Sequence, residues 1–200
     1  RRLVFTSRFF FVMTKYSILI PVHNELRNIP ALLDTLKFYS IEGHEILIID
    51  DGSEDGSTDI LKGCKHIKLI CLRKNKGKGF ALKVGLTNAN NDKIIIYDSD
   101  MELNPTDISK LMILKKNMRY AMGYRFKSLS PFRSSLDWGN FMFTSFFNIL
   151  FRSQHKDILC CAKVFYKSDL KEYEIISNEF DIDIELASVC TIINRGKKIP

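Results

Sequence analysis

The stretch Lys93-Ile94-Ile95-Ile96-Tyr97-Asp98-Ser99-Asp100-Met101-Glu102 decides how the rest of the chain reads. Ile94 to Tyr97 make a short apolar run that suits a strand buried on both faces of a parallel sheet. The run ends abruptly in Asp98, Ser99 and Asp100, with Glu102 two positions on. Carboxylates just past such a strand stand at the C-terminal edge of the sheet, where open α/β folds take ligands. Three carboxylates this close repel one another unless a cation joins them, and hard oxygen donors suit Mg2+ or Mn2+. The plainer reading is a solvated acidic loop that caps the next helix, and the short motif alone does not choose between the two.

Outward from this stretch the pattern alternates strand and helix. Tyr16 to Val22 reads as a strand. Asn28 and Pro30 open a helix with Ile29, Leu32, Leu33, Leu36 and Tyr39 on one face. Glu45 to Ile49 is a second strand, and a Gly/Ser/Asp turn from Asp50 to Ser57 leads into a short helix ending near Leu61. Ile67 to Leu72 is a third strand and Gly79 to Asn88 a third helix. Asn104 and Pro105 start a helix from Asp107 to Lys116, and Tyr120 to Tyr124 reads as a further strand. Such alternation implies right-handed crossovers and an α/β fold, a mainly parallel central sheet with helices on both faces. Beyond a linker at Ser128 to Pro131, Phe132 to Arg152 is rich in aromatics. Read as a helix, it sets Trp138, Phe141, Phe146 and Ile149 or Leu150 on one side. It is either an interfacial helix or one packed on the sheet. Ala162 to Tyr166 is a strand, and Asp181 to Arg195 a helix with Ile182, Leu186, Val189 and Ile193 inward, ended by Gly196.

Two hundred residues, 46% hydrophobic and 26% charged, suit one globular domain with a real core and exclude a disordered chain. The net charge of +7 favours anionic partners such as nucleotides, lipid phosphates or an acidic membrane surface. The five cysteines form no CxxC pair and no zinc-like spacing with histidine, so Cys64, Cys71, Cys160, Cys161 and Cys190 read as reduced and buried. No run approaches the length of a transmembrane helix. Residues 13–200 are expected to form a single domain, with a nucleotide-binding half at 13–125 and an acceptor half at 126–200. The first twelve residues read as a basic, aromatic tail or as upstream sequence. The second reading is preferred because nothing periodic organises them. Both ends of the chain look like those of a fragment.

Four segments fall at successive strand ends. They are Pro21-Val22-His23-Asn24-Glu25, the turn Ile49-Asp50-Asp51-Gly52-Ser53-Glu54-Asp55-Gly56-Ser57, the loop Arg73-Lys74-Asn75-Lys76-Gly77-Lys78-Gly79-Phe80-Ala81, and Asp98-Ser99-Asp100. Asp51 can accept from a base N–H, the glycines permit close backbone approach, and Lys78 at a helix start offers positive potential to a diphosphate. Each segment alone is ordinary turn chemistry. Together and in this order they resemble the family-2 inverting glycosyltransferases of the GT-A fold. Within that family they look most like the polyprenyl-phosphate glycosyltransferases, such as dolichol-phosphate mannose synthase. That narrower likeness rests on Gly123-Tyr124-Arg125, Arg133, Asp157 and the segment Leu159-Cys160-Cys161-Ala162-Lys163. Departures are His23 for a tyrosine, Glu102 for a glutamine, Cys161 for a glycine, Lys163 for an arginine and Trp138 for a second helix arginine.

The resemblance implies a nucleoside-diphosphate sugar as donor, held by Pro21, His23, Glu25, Asp50, Asp51, Asn75, Gly77, Lys78, Asp98 and Ser99. It implies Mg2+ or Mn2+ on Asp98, Asp100 and Glu102, with Arg125 and Lys78 sharing the charge of the leaving diphosphate. A lipid-phosphate acceptor, oriented by Arg133 and Lys163, needs no general base. A sugar hydroxyl needs a carboxylate, for which Asp157, Asp181 and Asp183 are candidates. The protein is then expected on the cytoplasmic face of a membrane, in cell-envelope synthesis, with no nucleic-acid partner. Two rival readings are a transferase that builds a polysaccharide on a sugar acceptor and a non-catalytic nucleotide-binding module.

Overall fold

The structure, a computed structural model, describes residues 14–115, 118–125 and 135–194. Six strands form one sheet: β1 (Ser17–Val22), β2 (Glu45–Asp50), β3 (Lys68–Cys71), β4 (Lys93–Ile96), β5 (Tyr120–Met122) and β6 (Lys163–Tyr166). The helices are α1 (Ile29–Ile41), α2 (Ser57–Lys62), α3 (Lys78–Asn88), α4 (Ile108–Leu111), α5 (Ser135–Leu150) and α6 (Ile182–Asn194). The sheet order is β3-β2-β1-β4-β6-β5. The first four strands of that order are parallel, β6 runs antiparallel to β4, and β5 antiparallel to β6. The expected α/β architecture is therefore found, with a sheet that is mainly parallel.

The apolar run of the opening stretch explains itself in the core. Ile94 and Ile96 point into one hydrophobic cluster, Ile95 and Tyr97 into the other, and all four are buried. Burying each such side chain is worth about 1.5–3 kcal/mol, so a strand clothed on both faces can dispense with polar alternation. The inward face of α1 (Ile29, Leu32, Leu33, Leu36 and Tyr39) packs on one side with Ile18 and Ile20 of β1. Ala81, Leu82 and Leu86 of α3, with Ile182 and Leu186 of α6, pack on the other. α5 joins through Phe147, which packs with Ile158 and with Ala187 of α6.

Two expectations change. The helix predicted over Asp107–Lys116 is a 3-10 turn at Pro105–Asp107 followed by the single turn of α4. The chain leaves the helix at Met112 so that Leu114 can enter the core, where its carbonyl accepts from Lys93 Nζ at 3.0 Å. Cys71, at the end of the outermost parallel strand, is exposed and Cys64 half-buried, whereas Cys160, Cys161 and Cys190 are buried. On α5 the apolar side chains of Trp138, Met142, Phe143, Phe146, Ile149 and Leu150 face outward. The linker at Ser128–Pro131 and Gly196 lie outside the described residues.

Candidate functional site

Because β1, β2, β3 and β4 are parallel, their C-terminal ends share one edge of the sheet. The chain moves outward from β1 through β2 to β3, then returns to place β4 on the other side of β1. That reversal opens a crevice at the ends of β1 and β4, the place where open α/β sheets take ligands. A cleft of about 280 Å³ occupies it. Nine of the ten residues expected to hold the donor line this cleft: Pro21, His23, Glu25, Asp51, Asn75, Gly77, Lys78, Asp98 and Ser99, joined by Asp100. Asp50 does not. It is buried under the turn, where Oδ1 accepts from Ser53 N–H at 3.0 Å and Oδ2 from the Thr58 hydroxyl.

Each wall is built by local chemistry. His23 Nδ1 lies 2.9 Å from the Asp51 carbonyl and its Nε2 3.1 Å from Asn24 Nδ2. The carbonyl can only accept, so Nδ1 carries the proton. The Ser99 hydroxyl donates to the Pro21 carbonyl at 2.9 Å, tying the end of β4 to that of β1. Asp51 accepts from the backbone N–H groups of Lys76 (2.9 Å) and Gly77 (2.8 Å), so its carboxylate clamps the third loop as well as facing the cleft. Gly77 has φ +91°, and a Cβ there would run into the carbonyl of Asn178. Only glycine suits this position, at the mouth of α3.

The segment just before α6 completes the cleft with Glu179 and Phe180, which reading the sequence missed. Asn178 accepts from Phe80 N–H through its carbonyl at 3.1 Å. Nothing in the local sequence marks this segment as a site wall, apart from its position ahead of a helix.

Charges concentrate beneath the floor. Lys78 Nζ donates to Asp98 Oδ2 and to Asp183 Oδ2, both at 2.8 Å, and Lys163 Nζ donates to Asp183 Oδ1 at 2.7 Å. Burial tends to lower the Lys78 pKa, yet Asp98 and Asp183 together hold it above the ordinary value. Burial pushes the Asp98 carboxyl up against the pull of Lys78. At Asp183 burial is outweighed by Lys163 and Lys78, which keep its carboxyl low. Lys163, expected at the acceptor, is instead almost wholly buried and bound to Asp183 and the Cys160 carbonyl. It starts strand β6 between buried apolar neighbours, so its stem fills the core and its ammonium must find a buried partner.

Asp157 is also buried, and it is committed. Its Oδ2 accepts from Arg125 Nε at 2.9 Å and its Oδ1 from Nη2 at 3.2 Å. These bonds raise the pKa of the Arg125 guanidinium. On its other side Arg125 Nη1 lies 3.4 Å from both oxygens of Glu102. Asp157 thus orients Arg125, with no oxygen left over to act as a base. Arg133 lies outside the described residues.

The three carboxylates expected to share a divalent cation do not converge. Asp98 turns one oxygen to Lys78, Asp100 Oδ1 accepts from Glu102 N–H at 2.9 Å, and Glu102 leans toward Arg125. Among the described residues no three carboxylate, thiol or imidazole groups form a ready ligand set. One observation does fit a cation: Asp98 Oδ1 is buried and makes no hydrogen bond. Such an oxygen is costly to leave unpaired. Asp98 and Asp100, both on the cleft, are the residues suited to a hard cation.

The sheet order, the crevice beside β1 and β4 and the loop that opens α3 define an α/β protein of the GT-A class. The chain belongs to glycosyl transferase family 2, whose family model matches residues 17–174. Similar curated proteins include the undecaprenyl-phosphate 4-deoxy-4-formamido-L-arabinose transferases of Yersinia pestis (strain Pestoides F) and Yersinia pseudotuberculosis (serotype O:3, strain YPIII). Each is 36% identical over 107 residues, 49% of this chain and 32% of the relative. The chain spans about a third of the length of these relatives. Among solved structures, glucosyl-3-phosphoglycerate synthase from Mycobacterium tuberculosis in complex with Mn2+, uridine diphosphate and phosphoglyceric acid superposes with a TM-score of 0.68. It is 16% identical, and the match covers 92% of this chain and 66% of that one. Staphylococcus aureus TarS (1–349) gives 0.54 at 20% identity, over 90% of this chain and 56% of that one. At such identities the likeness is one of fold. Among the described residues no helix is long and apolar enough to cross a membrane.

Proposed function

We propose that this domain transfers a sugar, with inversion, from a nucleoside-diphosphate sugar to a polyprenyl phosphate at a membrane surface. The observation that carries the reading is the cleft itself, in which the ends of β1, β2 and β4 and the start of α3 meet. His23 and Pro21 offer a wall for the base, with Asp51 beside it. Lys78 and the N-terminus of α3 offer positive potential to the diphosphate. A divalent ion, Mg2+ or Mn2+, held by Asp98 and Asp100 supplies Lewis-acid neutralisation of the departing diphosphate. Arg125, fixed by Asp157 and leaning on Glu102, adds a cation beside that acidic loop. The Yersinia relatives are named as undecaprenyl-phosphate transferases, and the synthase structure holds Mn2+ and uridine diphosphate.

Two features favour a lipid phosphate over a sugar hydroxyl as acceptor. An anionic phosphate needs no general base, Asp157 and Asp183 are both tied up in ion pairs, and Asp181, which accepts from Glu179 N–H at 3.2 Å, is exposed and does not line the cleft. The outward apolar face of α5 suits the headgroup region of a bilayer. The rival acceptor, a sugar hydroxyl, would draw on Glu179 at the cleft wall. Isothermal titration with UDP and GDP, each with and without Mn2+, tests the donor site. Metal-dependent binding of one nucleotide is expected, and binding of neither would overturn the reading. Turnover on a polyprenyl phosphate that survives Glu179→Gln separates the two acceptors.

A further inference from the structure

Four charges alternate in sign from the cleft inward: Asp98, half-buried at the cleft, then the buried side chains of Lys78, Asp183 and Lys163. They come from four separate elements, the loop after β4, the start of α3, the first turn of α6 and the start of β6. The side chains of Lys78, Asp183 and Lys163 are 8%, 6% and 1% exposed. Packing alone does not call for such a chain, because apolar residues of similar volume hold elements together at least as well as buried ion pairs. The asymmetry lies at its ends. Lys163 closes the inner end on Asp183 and on the Cys160 carbonyl. Asp98 leaves the outer end open, with Oδ1 unpartnered. Lys78 stands between, equidistant from two carboxylates and on the wall of the cleft.

We propose that Lys78 is the resident cation of the donor site. It holds Asp98 through Oδ2, with its charge set against a divalent metal at the open Oδ1, and passes to the donor's diphosphate when that arrives, with Asp183 as the positioning residue that keeps it anchored. This rests on the nucleoside-diphosphate reading above. An ammonium has three donors, and two are engaged here. Swinging off Asp98 leaves Lys78 still paired with Asp183, so no buried charge is stranded. Asp183 cannot follow it, because Lys163 holds the other oxygen. Metal and nucleotide then bind in concert: a metal alone meets the charge of Lys78 on the same carboxylate, whereas a diphosphate draws Lys78 away and frees both oxygens of Asp98.

The test is Mn2+ binding without nucleotide, followed through the paramagnetic resonance signal of free Mn2+. A neighbouring opposite charge shifts a carboxylate's proton affinity by about 1–3 pK units, so Lys78→Met should bind Mn2+ at least about tenfold more tightly than the wild type. Lys78→Arg keeps the charge and should bind it as weakly as the wild type does. Should Lys78→Met fail to fold, Lys78→Gln removes the charge, keeps an amide donor for Asp183 and leaves the Asp183–Lys163 pair intact, and it should show the same gain. Mn2+ affinity no higher than wild type in the folded variant overturns the proposal. Parallel UDP and GDP titrations of the wild type in Mn2+ separate the two failures. Absence of nucleotide binding sinks the donor-site reading, whereas intact nucleotide binding with unchanged Mn2+ affinity in the variant sinks the role of Lys78 alone.

Discussion

Asp157→Asn separates a structural carboxylate from a catalytic one. The substitution keeps the volume but sets an amide against a guanidinium that has lost its buried counter-charge. Asp157 is buried and takes two side-chain bonds from Arg125, at 2.9 and 3.2 Å. Removing one partner of a buried pair costs 3–5 kcal/mol in general; because Arg125 keeps Glu102 at 3.4 Å, the low end, about 3 kcal/mol, applies here. For a chain of this size each kcal/mol moves the melting midpoint by roughly 2–4 °C, so a drop of about 6–12 °C is expected. Thermal melting followed by circular dichroism measures it. Nucleotide affinity should hold, because the donor cleft is walled by other residues, while turnover falls as Arg125 loses its orientation. A variant that melts within about 2 °C of wild type yet has no turnover would refute the reasoning and restore Asp157 as a proton acceptor.

Asp100→Asn should leave the melting midpoint unchanged, abolish metal-dependent nucleotide binding and reduce turnover by at least about two orders of magnitude; full activity in excess EDTA would contradict it. Phe146 is 67% exposed, so Phe146→Glu should melt like wild type and lose flotation with anionic liposomes. Unfolding of that variant would mean the α5 face is covered. Burial holds the His44 imidazole below its ordinary value of 6.5, and its Nδ1 accepts from Tyr16 N–H at 3.2 Å. The folded chain therefore binds this proton less readily than the unfolded one. The contribution to stability is complete above the unfolded value and shrinks as pH falls toward the folded one. Urea midpoints should drop on moving from about pH 7 to about pH 5, and His44→Asn should flatten that drop.

The strands and the α1 and α6 faces were legible because a buried strand or an amphipathic helix writes its burial into local spacing. Ile94 to Tyr97, or Ile29 to Tyr39, need no distant partner to be recognised. The cleft residues were legible for a related reason: parallel strands bring successive turns to one edge, so a turn's position in the sequence places it in space. What local spacing could not supply was pairing between distant residues. Lys163 looks like a basic contact for a phosphate until Asp183 is seen beneath it. Asp157 looks like a base until Arg125 closes over it. A signal was available for Lys163, since a lysine flanked by Ala162 and Val164 in an apolar strand must find a buried anion. None was available for Glu179 and Phe180.

The place of β6 in the sheet also sets the order in which the protein can be built. Among the described residues β5 is hydrogen-bonded into the sheet through β6 alone, and β4 has β6 on its outer side. The β1–β4 block can assemble as soon as residue 97 is available, but β5, though made before α5, has nothing to pair with until Tyr166 emerges. Long-range pairings of this kind form late and slowly. In the interval β4 presents an apolar, unpaired edge, the kind of surface on which nascent chains mispair. Limited proteolysis of chains ended before and after Tyr166 would register the change as β4 and β5 gain their shared neighbour. A chain halted between β5 and β6 therefore has most of a donor cleft and a sheet edge primed for the wrong partner.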